Sequence, residues 1–180
     1  MTKYIALSGL ARSGKDTVAD YLVKNHGYVK MSFADPMREA LYRLNPDIDV
    51  DGYDMKLATA VDLLGWEQLK SASQGLRGLM QRMGTEVGRE MFGEDFWVNQ
   101  AFNKAKQHEL VVFADCRFPN EARTVEDCGG VVWRIERPGI SAANSHPSET
   151  ALDSYDFDWI ALNDSTLENL WKSVDMQLDK

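Results

Sequence analysis

A chain of 180 residues with 44% hydrophobic side chains has the length of one domain, and at that size a folded protein buries about 70% of the surface its unfolded chain exposes. A formal net charge of −8 argues against a nucleic-acid polymer as main partner, because polymer binding needs a broad basic surface. No apolar run is long enough to cross a bilayer, no signal peptide is visible, and Cys116 and Cys128 match no metal-site spacing, so the expectation is a cytoplasmic protein with reduced thiols and no membrane partner.

Residues 3–8 read as a first strand and residues 14–26 as a helix with the stripe Val18, Ala19, Leu22 and Val23. Between them runs Gly9-Leu10-Ala11-Arg12-Ser13-Gly14-Lys15-Asp16-Thr17, which meets the spacing G-x-x-x-x-G-K. Gly9 and Gly14 let the backbone turn tightly and present N–H groups to an anion. Lys15 adds a mobile positive charge and the following helix its positive end. A nucleoside triphosphate is therefore the first ligand expected. Asp16 stands where the common pattern has Ser or Thr, so Mg²⁺ is expected either through water on Asp16 or on the hydroxyl of Thr17.

After the stop signal Gly27, residues 28–33 read as a short strand. Asp35 and Pro36 suit the N-cap and first position of a helix. Residues 36–107 then read as helical, broken by turn-rich residues 45–54 and several glycines, with no strand-like run. Such a block between two strands is expected to cover a substrate. Within it Arg77, Gln81, Arg82, Thr85 and Arg89 recur at three- and four-residue intervals and can share one helix face, either aimed at a cleft or simply solvated. Trp97 closes the block; the five tryptophans read more readily as core than as base-stacking platforms.

The apolar run 110–114 ends in Asp115, as a strand buried on both faces of a parallel sheet does. Asp115 is placed to organise Mg²⁺, with a turn or N-cap aspartate as the plain alternative. Arg117, two residues on, is suited to gripping a phosphate. A helix over 120–128, a strand over 131–135, a polar loop over 137–152, a strand over 159–162 and a closing helix with the stripe Leu167, Leu170, Trp171, Val174 and Leu178 complete the pattern. Arg134, Arg137 and His146 flank that loop; His146 reads more readily as an exposed or locally bonded residue, whereas an arginine at the base of a mobile loop can swing onto a transferring phosphoryl group. The whole reads as an α/β, three-layer P-loop NTPase fold: a parallel sheet with helices on both faces and ligands at the carboxyl ends of the strands.

These blocks taken together resemble the deoxynucleoside monophosphate kinases of tailed bacteriophages over nearly the whole chain. The matching residues are Leu7-Ser8-Gly9 through Ala19-Asp20, Ala34-Asp35-Pro36 with Arg38, Leu79-Met80-Gln81 through Gly84-Thr85, and Phe96-Trp97-Val98. Asp115-Cys116-Arg117 with Asn120-Glu121, Arg137-Pro138-Gly139, His146 with Glu149, and Asn163-Asp164 complete them. The resemblance implies one P-loop kinase domain over residues 1–180, with a helical substrate-binding insertion over about 36–107 and a lid over about 137–152. It implies ATP-dependent phosphorylation of a deoxynucleoside monophosphate in DNA precursor synthesis, with Mg²⁺, in the host cytoplasm if the chain is phage-encoded; a homodimer is compatible with it. ATP is assigned to Gly9, Ala11, Arg12, Ser13, Gly14, Lys15, Asp16, Thr17, Arg137 and Asn163, the last near the base, and the metal to Asp16, Thr17 and Asp115. The monophosphate is assigned to Phe33, Arg38, Arg77, Gln81, Trp97, Arg117 and Glu121, with Lys15, Arg117 and Arg137 catalytic. The stretch between Leu41 and Gly75 looks shorter than in better-known members. Two other readings compete: a small-molecule kinase resembling dephospho-coenzyme A kinase, and a regulator that binds ATP without turnover.

Overall fold

The computed structural model describes residues 2–141 and 150–180; the expectation for His146 and Glu149 falls outside them. The chain folds as two compact units, Met1–Phe33 with Ala101–Lys180, and Ala34–Gln100.

The first unit is built on five strands: β1 (Tyr4–Ser8), β2 (Val29–Met31), β5 (Val111–Phe113), β6 (Val131–Glu136) and β7 (Trp159–Leu162), in the order β2-β5-β1-β6-β7. Every pairing is parallel, from Val29↔Val111 at one edge to Glu136↔Leu162 at the other. All five residues of β1 are buried, as expected for a central strand covered on both faces. Alternation sends Ile5 and Leu7 into a core with Val18, Ala19 and Leu22 of helix α1 (Lys15–His26) and Leu170 and Val174 of the closing helix α7 (Leu167–Leu178). On the opposite face the Tyr4 ring meets Phe102 edge-on at 5.4 Å, and Phe102 lies 5.1 Å from Phe113. Phe102 belongs to α5 (Phe96–Ala105), and α6 (Pro119–Asp127) covers the neighbouring strands with buried Ala122 and Val125. The result is the expected three-layer α/β architecture, a parallel sheet with helices on both faces. α1 and α7 are joined at their outer ends, where the Tyr21 hydroxyl and His26 both bond Asp175 at 2.9 Å and the Tyr21 ring stacks on Trp171.

The second unit contains α2 (Asp35–Leu44), a hairpin of β3 (Asp47–Val50) and β4 (Tyr53–Lys56), α3 (Leu57–Ala72), α4 (Gln74–Arg82) and a π-helical stretch Met83–Met91 that continues α4. Leu41, Leu57, Ala60, Leu69 and Leu76, all fully buried, form its core with Ile48 and Val50. The hairpin corrects the expectation that no strand lies within this block, for it falls largely on the residues 45–54 read as turn-rich. Only Ile48 and Val50 of its eight strand residues are buried, so the apolar signal is too short to stand out, but Asp51 and Gly52 both have positive φ (51° and 88°), the two-residue turn that Asp-Gly favours. The cap of α2 also differs from expectation: Ala34 takes that place and Asp35 is already helical. Asn45 ends α2 with a left-handed φ of 50° and starts α3 by accepting the Ala58 N–H on its side-chain oxygen at 2.9 Å. Gly65, at φ 71° and ψ 161°, breaks α3 into two pieces, as only glycine does readily.

Trp97 holds the π-helical stretch in place: its indole N–H donates to the Gly84 carbonyl at 3.0 Å, and a Cβ at Gly88 would lie 1.9 Å from the same nitrogen. Gly88→Ala is therefore expected to lower stability by about 1–3 kcal/mol through overpacking. Gly78→Ala, at a helical site with no atom within 4 Å of the added Cβ, is expected to raise it by about 0.5–1 kcal/mol. Urea unfolding midpoints read both, and equal stability of the two variants would mean that Trp97 is not locked against Gly88.

Candidate active site

The loop after β1 is held in a strained, open curve. Gly9, Arg12 and Gly14 have φ of 138°, 66° and 108°. A Cβ at Gly9 would lie 2.3 Å from the Ile135 carbonyl oxygen, so glycine is required there twice over, by conformation and by the closeness of β6. The Ser13 N–H closes a turn onto the Leu10 carbonyl at 3.1 Å, and the Gly14 carbonyl accepts the first helical bond, from the Val18 N–H at 2.9 Å. Among the described residues the Gly14 N–H meets no backbone acceptor, and it stands at the positive end of α1.

Lys15, expected as a mobile charge, is instead buried. Its ammonium group donates to the Gly9 and Leu10 carbonyls at 2.7 and 2.8 Å. A loop that points N–H groups inward turns some carbonyls outward, and the lysine satisfies two of them. The Ser13 hydroxyl is also buried, and among the described residues it has no partner. Asn163, directly after β7, donates from its side-chain amide to the Ser13 carbonyl at 2.9 Å.

These elements enclose a cavity of about 430 Å³, lined by Arg12, Gly14, Lys15, Asp16, Thr17, Arg137 and Asn163, with Ser165 and Leu167 completing the wall. Seven residues expected to bind the triphosphate thus meet in one place; Gly9 and Ser13 shape the loop behind it, while Ala11 is exposed on its outer turn. Ser165 and Leu167 carried no signal in the sequence, since a serine in a turn and a leucine opening a helix have ordinary local reasons to be there. Asp16 lines the cavity but its carboxylate is paired with Lys30 at 2.9 Å, and Lys30 also reaches Asp20 at 3.0 Å. Partial burial alone would lower the Lys30 pKa, but the hydrogen bonds and charges of these two carboxylates outweigh it and raise the value.

At the end of β5, both oxygens of Asp115 face residues that follow β2. One accepts from the Ser32 hydroxyl and the other from the Phe33 N–H at 2.8 Å. Ser32 was missed by sequence reasoning, as no motif marks it. Phe33 is buried and stacked on Phe113 at 4.4 Å. Glu121 is buried too, and one oxygen accepts both the Arg117 and Phe118 N–H groups, at 2.7 and 3.0 Å. It therefore fixes the turn that carries Arg117, itself half-buried, at the start of α6. The Cys116 thiol between them is buried, and burial followed by the charges of Glu121, Asp115 and Glu126 pushes its pKa up, so it is no nucleophile.

The two arginines near the loop after β6 divide. Arg134 is anchored: it pairs with Glu136 at 3.0 Å, bonds the Leu152 carbonyl and Asp153 at 3.4 Å, and lies over the Phe157 ring. Arg137 is exposed and reaches the cavity. In the second unit, Arg38 pairs with Asp35 at 3.3 Å and with Glu67 at 3.6 Å, Arg77 donates to the Lys70 carbonyl at 2.7 Å, and Arg77 and Gln81 are exposed four residues apart on α4. Trp97 serves as the lock described above.

A glycine-curved phosphate loop at the carboxyl edge of a five-stranded parallel sheet, followed by a helix and faced by arginines, defines a P-loop phosphotransferase of the kinase class. More narrowly, the chain belongs to the deoxynucleotide monophosphate kinase family, whose model matches residues 3–67 and 67–174. It is 29% identical to a protein of Acanthamoeba polyphaga mimivirus provisionally named for the same activity, covering 94% of this chain and 93% of that protein. Identity is 26% to the deoxynucleotide monophosphate kinase of Enterobacteria phage T4 (96% and 97% covered) and 24% to that of Escherichia phage RB69 (95% and 97%). The two phage alignments run over 235 and 237 residues, well beyond the 180 of this chain, so those relatives carry segments it lacks. The family match breaks at residue 67, inside the stretch expected from sequence to be short. Among solved structures, shikimate kinase from Bacteroides thetaiotaomicron superposes with a TM-score of 0.46 at 12% identity over 100% of each chain, a likeness too weak to bear on function.

Gly9→Ala tests the loop. With a left-handed φ and a backbone oxygen in the way, the loop must shift, and losing one or two N–H donors to a phosphate weakens triphosphate binding about tenfold or more. Calorimetric titration with ATP measures it, and an unchanged affinity would show that this curvature is dispensable.

Proposed function

We propose that this chain transfers the γ-phosphoryl group of ATP to a deoxynucleoside monophosphate, giving ADP and the deoxynucleoside diphosphate for DNA precursor synthesis in the cytoplasm. The observation that carries the reading is the cavity in which Gly14, Lys15 and Thr17 meet Arg12, Arg137 and Asn163. The acceptor in such a reaction is a phosphate oxygen, already ionised at neutral pH, so no strong general base is needed. What is needed is that two polyanions be held together and their charge offset.

Lys15 is matched to that task. In leaving the Gly9 and Leu10 carbonyls for the phosphates it exchanges neutral acceptors for charged ones, which bind an ammonium group more strongly. Arg137, exposed at the cavity wall, supplies a second cation from the base of the proposed lid over 137–152. Arg117 is the cation proposed for the acceptor phosphate, held in position by Glu121 beneath its backbone. On the second unit, Arg77 and Gln81 share an exposed face of α4 and are proposed to recognise the acceptor, with Arg38 nearer to a structural part because of its two carboxylate partners. Phe33, Glu121 and Trp97 act in this reading by positioning, since each is already committed to packing or to backbone bonds.

Mg²⁺ fits the loop without a carboxylate cluster, because it keeps several waters and takes one or two protein oxygens together with substrate phosphates. The Thr17 hydroxyl is the proposed protein ligand, with Asp16 and Asp115 acting through water, as their oxygens already face Lys30 and the Ser32–Phe33 segment. When bound, the ion would offset charge on the phosphates.

Purified protein with ATP, Mg²⁺ and each deoxynucleoside monophosphate in turn is expected to form the diphosphate with one or more of them; no product with any would end the proposal. Lys15→Ala is expected to reduce turnover more than about a hundredfold and also to lower stability by about 1–2 kcal/mol, because the Gly9 and Leu10 carbonyls lose a charged donor. Initial rates and urea melts read the two effects. Arg117→Ala is expected to raise the KM for the monophosphate more than that for ATP, and the opposite order would move this arginine to the donor.

A further inference from the structure

We propose that Asn163 is a positioning residue for the phosphate loop. Its side-chain amide holds the Ser13–Gly14 peptide with the carbonyl turned away from the anion and so presents the Gly14 N–H to the phosphates. This rests on the phosphate-binding reading of the loop given above, and it assigns Asn163 a different task from contact with the base.

The bond runs from the Asn163 side-chain nitrogen to the Ser13 carbonyl oxygen, 2.9 Å. A carbonyl only accepts, so chemistry alone fixes which end of the amide faces it. Asn163 is itself a fixed post. Its backbone N–H donates to the Glu136 carbonyl at 2.7 Å, one step beyond the pairing Glu136↔Leu162 of β7 with β6. β6 is in turn paired with β1 through Ser8↔Arg134. The amide is thus referred to the same sheet from which the loop springs.

On the loop side, the peptides before and after are held by backbone bonds, Ser13 N–H to Leu10 and Val18 N–H to the Gly14 carbonyl. The Ser13–Gly14 peptide between them is not: among the described residues its N–H meets no backbone acceptor, and its carbonyl meets only Asn163. No peptide among them is cis, and in a trans peptide the C=O and N–H point in opposite directions. Fixing one therefore aims the other. Were the plane to turn over, the loop would lose a donor and bring the negative end of a carbonyl towards the phosphates. Gly14 makes the approach feasible, for a Cβ there would stand 2.5 Å from the same amide nitrogen.

The test compares ATP with inorganic tripolyphosphate, which has the phosphates and no base, titrated calorimetrically into wild type, Asn163→Ala and Asn163→Asp, the last of similar size but without the donor. Both variants are expected to bind ATP and tripolyphosphate about tenfold or more weakly, the loss of one N–H bond to a charged group. kcat/KM for ATP is expected to fall by a similar factor while the preference for ATP over GTP stays as in wild type. Weakened ATP binding with unchanged tripolyphosphate affinity would place the amide on the base and overturn the proposal, as would wild-type affinity in Asn163→Asp, the variant that decides should Asn163→Ala fold poorly. Failure of the wild type to bind either compound would overturn the phosphate-loop reading itself, and this proposal with it.

Discussion

The ammonium group of Lys15 lies 2.7 and 2.8 Å from two carbonyls of its own loop, and the arrangement of the whole site follows from the need to keep that loop curved with its N–H groups turned inward. A backbone that offers donors to an anion must dispose of its carbonyls elsewhere, because buried acceptors left without partners are costly. The lysine satisfies two and Asn163 a third. Each partner comes from a different place in the chain, one from the helix that the loop opens and one from the far edge of the sheet, so the curvature is set by the fold rather than by local turns alone. The parallel sheet is what makes this possible with so few residues: its strands all end on the same side, and residues as distant in sequence as Ser13, Asp115, Arg137 and Asn163 each follow, directly or within a few residues, a carboxyl end.

Polar groups near the site divide into those already committed to the fold and those left for a ligand. Asp115 and Glu121 use their oxygens on neighbouring N–H and hydroxyl groups, and Arg134 is tied to Glu136 and to residues 152–153. Arg12 and Arg137 line the cavity and are exposed. The division has an energetic logic. A carboxylate that spends its lone pairs on backbone donors repels a phosphate less than a bare one would, so these acidic groups can sit near an anion site and shape it. The overall negative charge of the chain is consistent with a site whose basic character is confined to a few side chains.

Much of this was legible in the sequence, for identifiable reasons. β1 is an unbroken buried run, α1 and α7 carry apolar stripes over twelve residues each, and Gly9, Gly14 and Lys15 have a spacing that few other structures demand. The hairpin was not legible, because Asp47, Asp49, Asp54 and Lys56 place polar side chains on its open face and only Ile48 and Val50 mark the buried one. Nor could spacing distinguish Arg134 from Arg137. Three residues apart near one strand end, they differ because the first is still in β6 and meets Glu136, whereas the second lies past the last paired residue. The burial of Lys15 was likewise hidden, since its partners are carbonyls and every residue has one.

The second unit, Ala34–Gln100, keeps a core of its own with short local connections. The family match is interrupted at residue 67, two residues after the glycine that breaks α3. On either side of that break the segment is closed by compact local devices: Asn45 ends one helix and caps the next, the Asp51-Gly52 turn closes the hairpin, and Ser73 caps α4 by accepting the Leu76 N–H. The Asp51 N–H reaches the Ala72 carbonyl at 3.3 Å, bringing the hairpin turn to the end of α3. Leu57, Ala60, Leu69 and Leu76, from both sides of the break, pack into one core. The kink at Gly65 turns α3 within a single residue. Glycine meets that demand because the left-handed φ of 71° carries no side-chain penalty. The glycine thus serves one geometric requirement, the return of Leu69 and Leu76 to the core that Leu57 and Ala60 began.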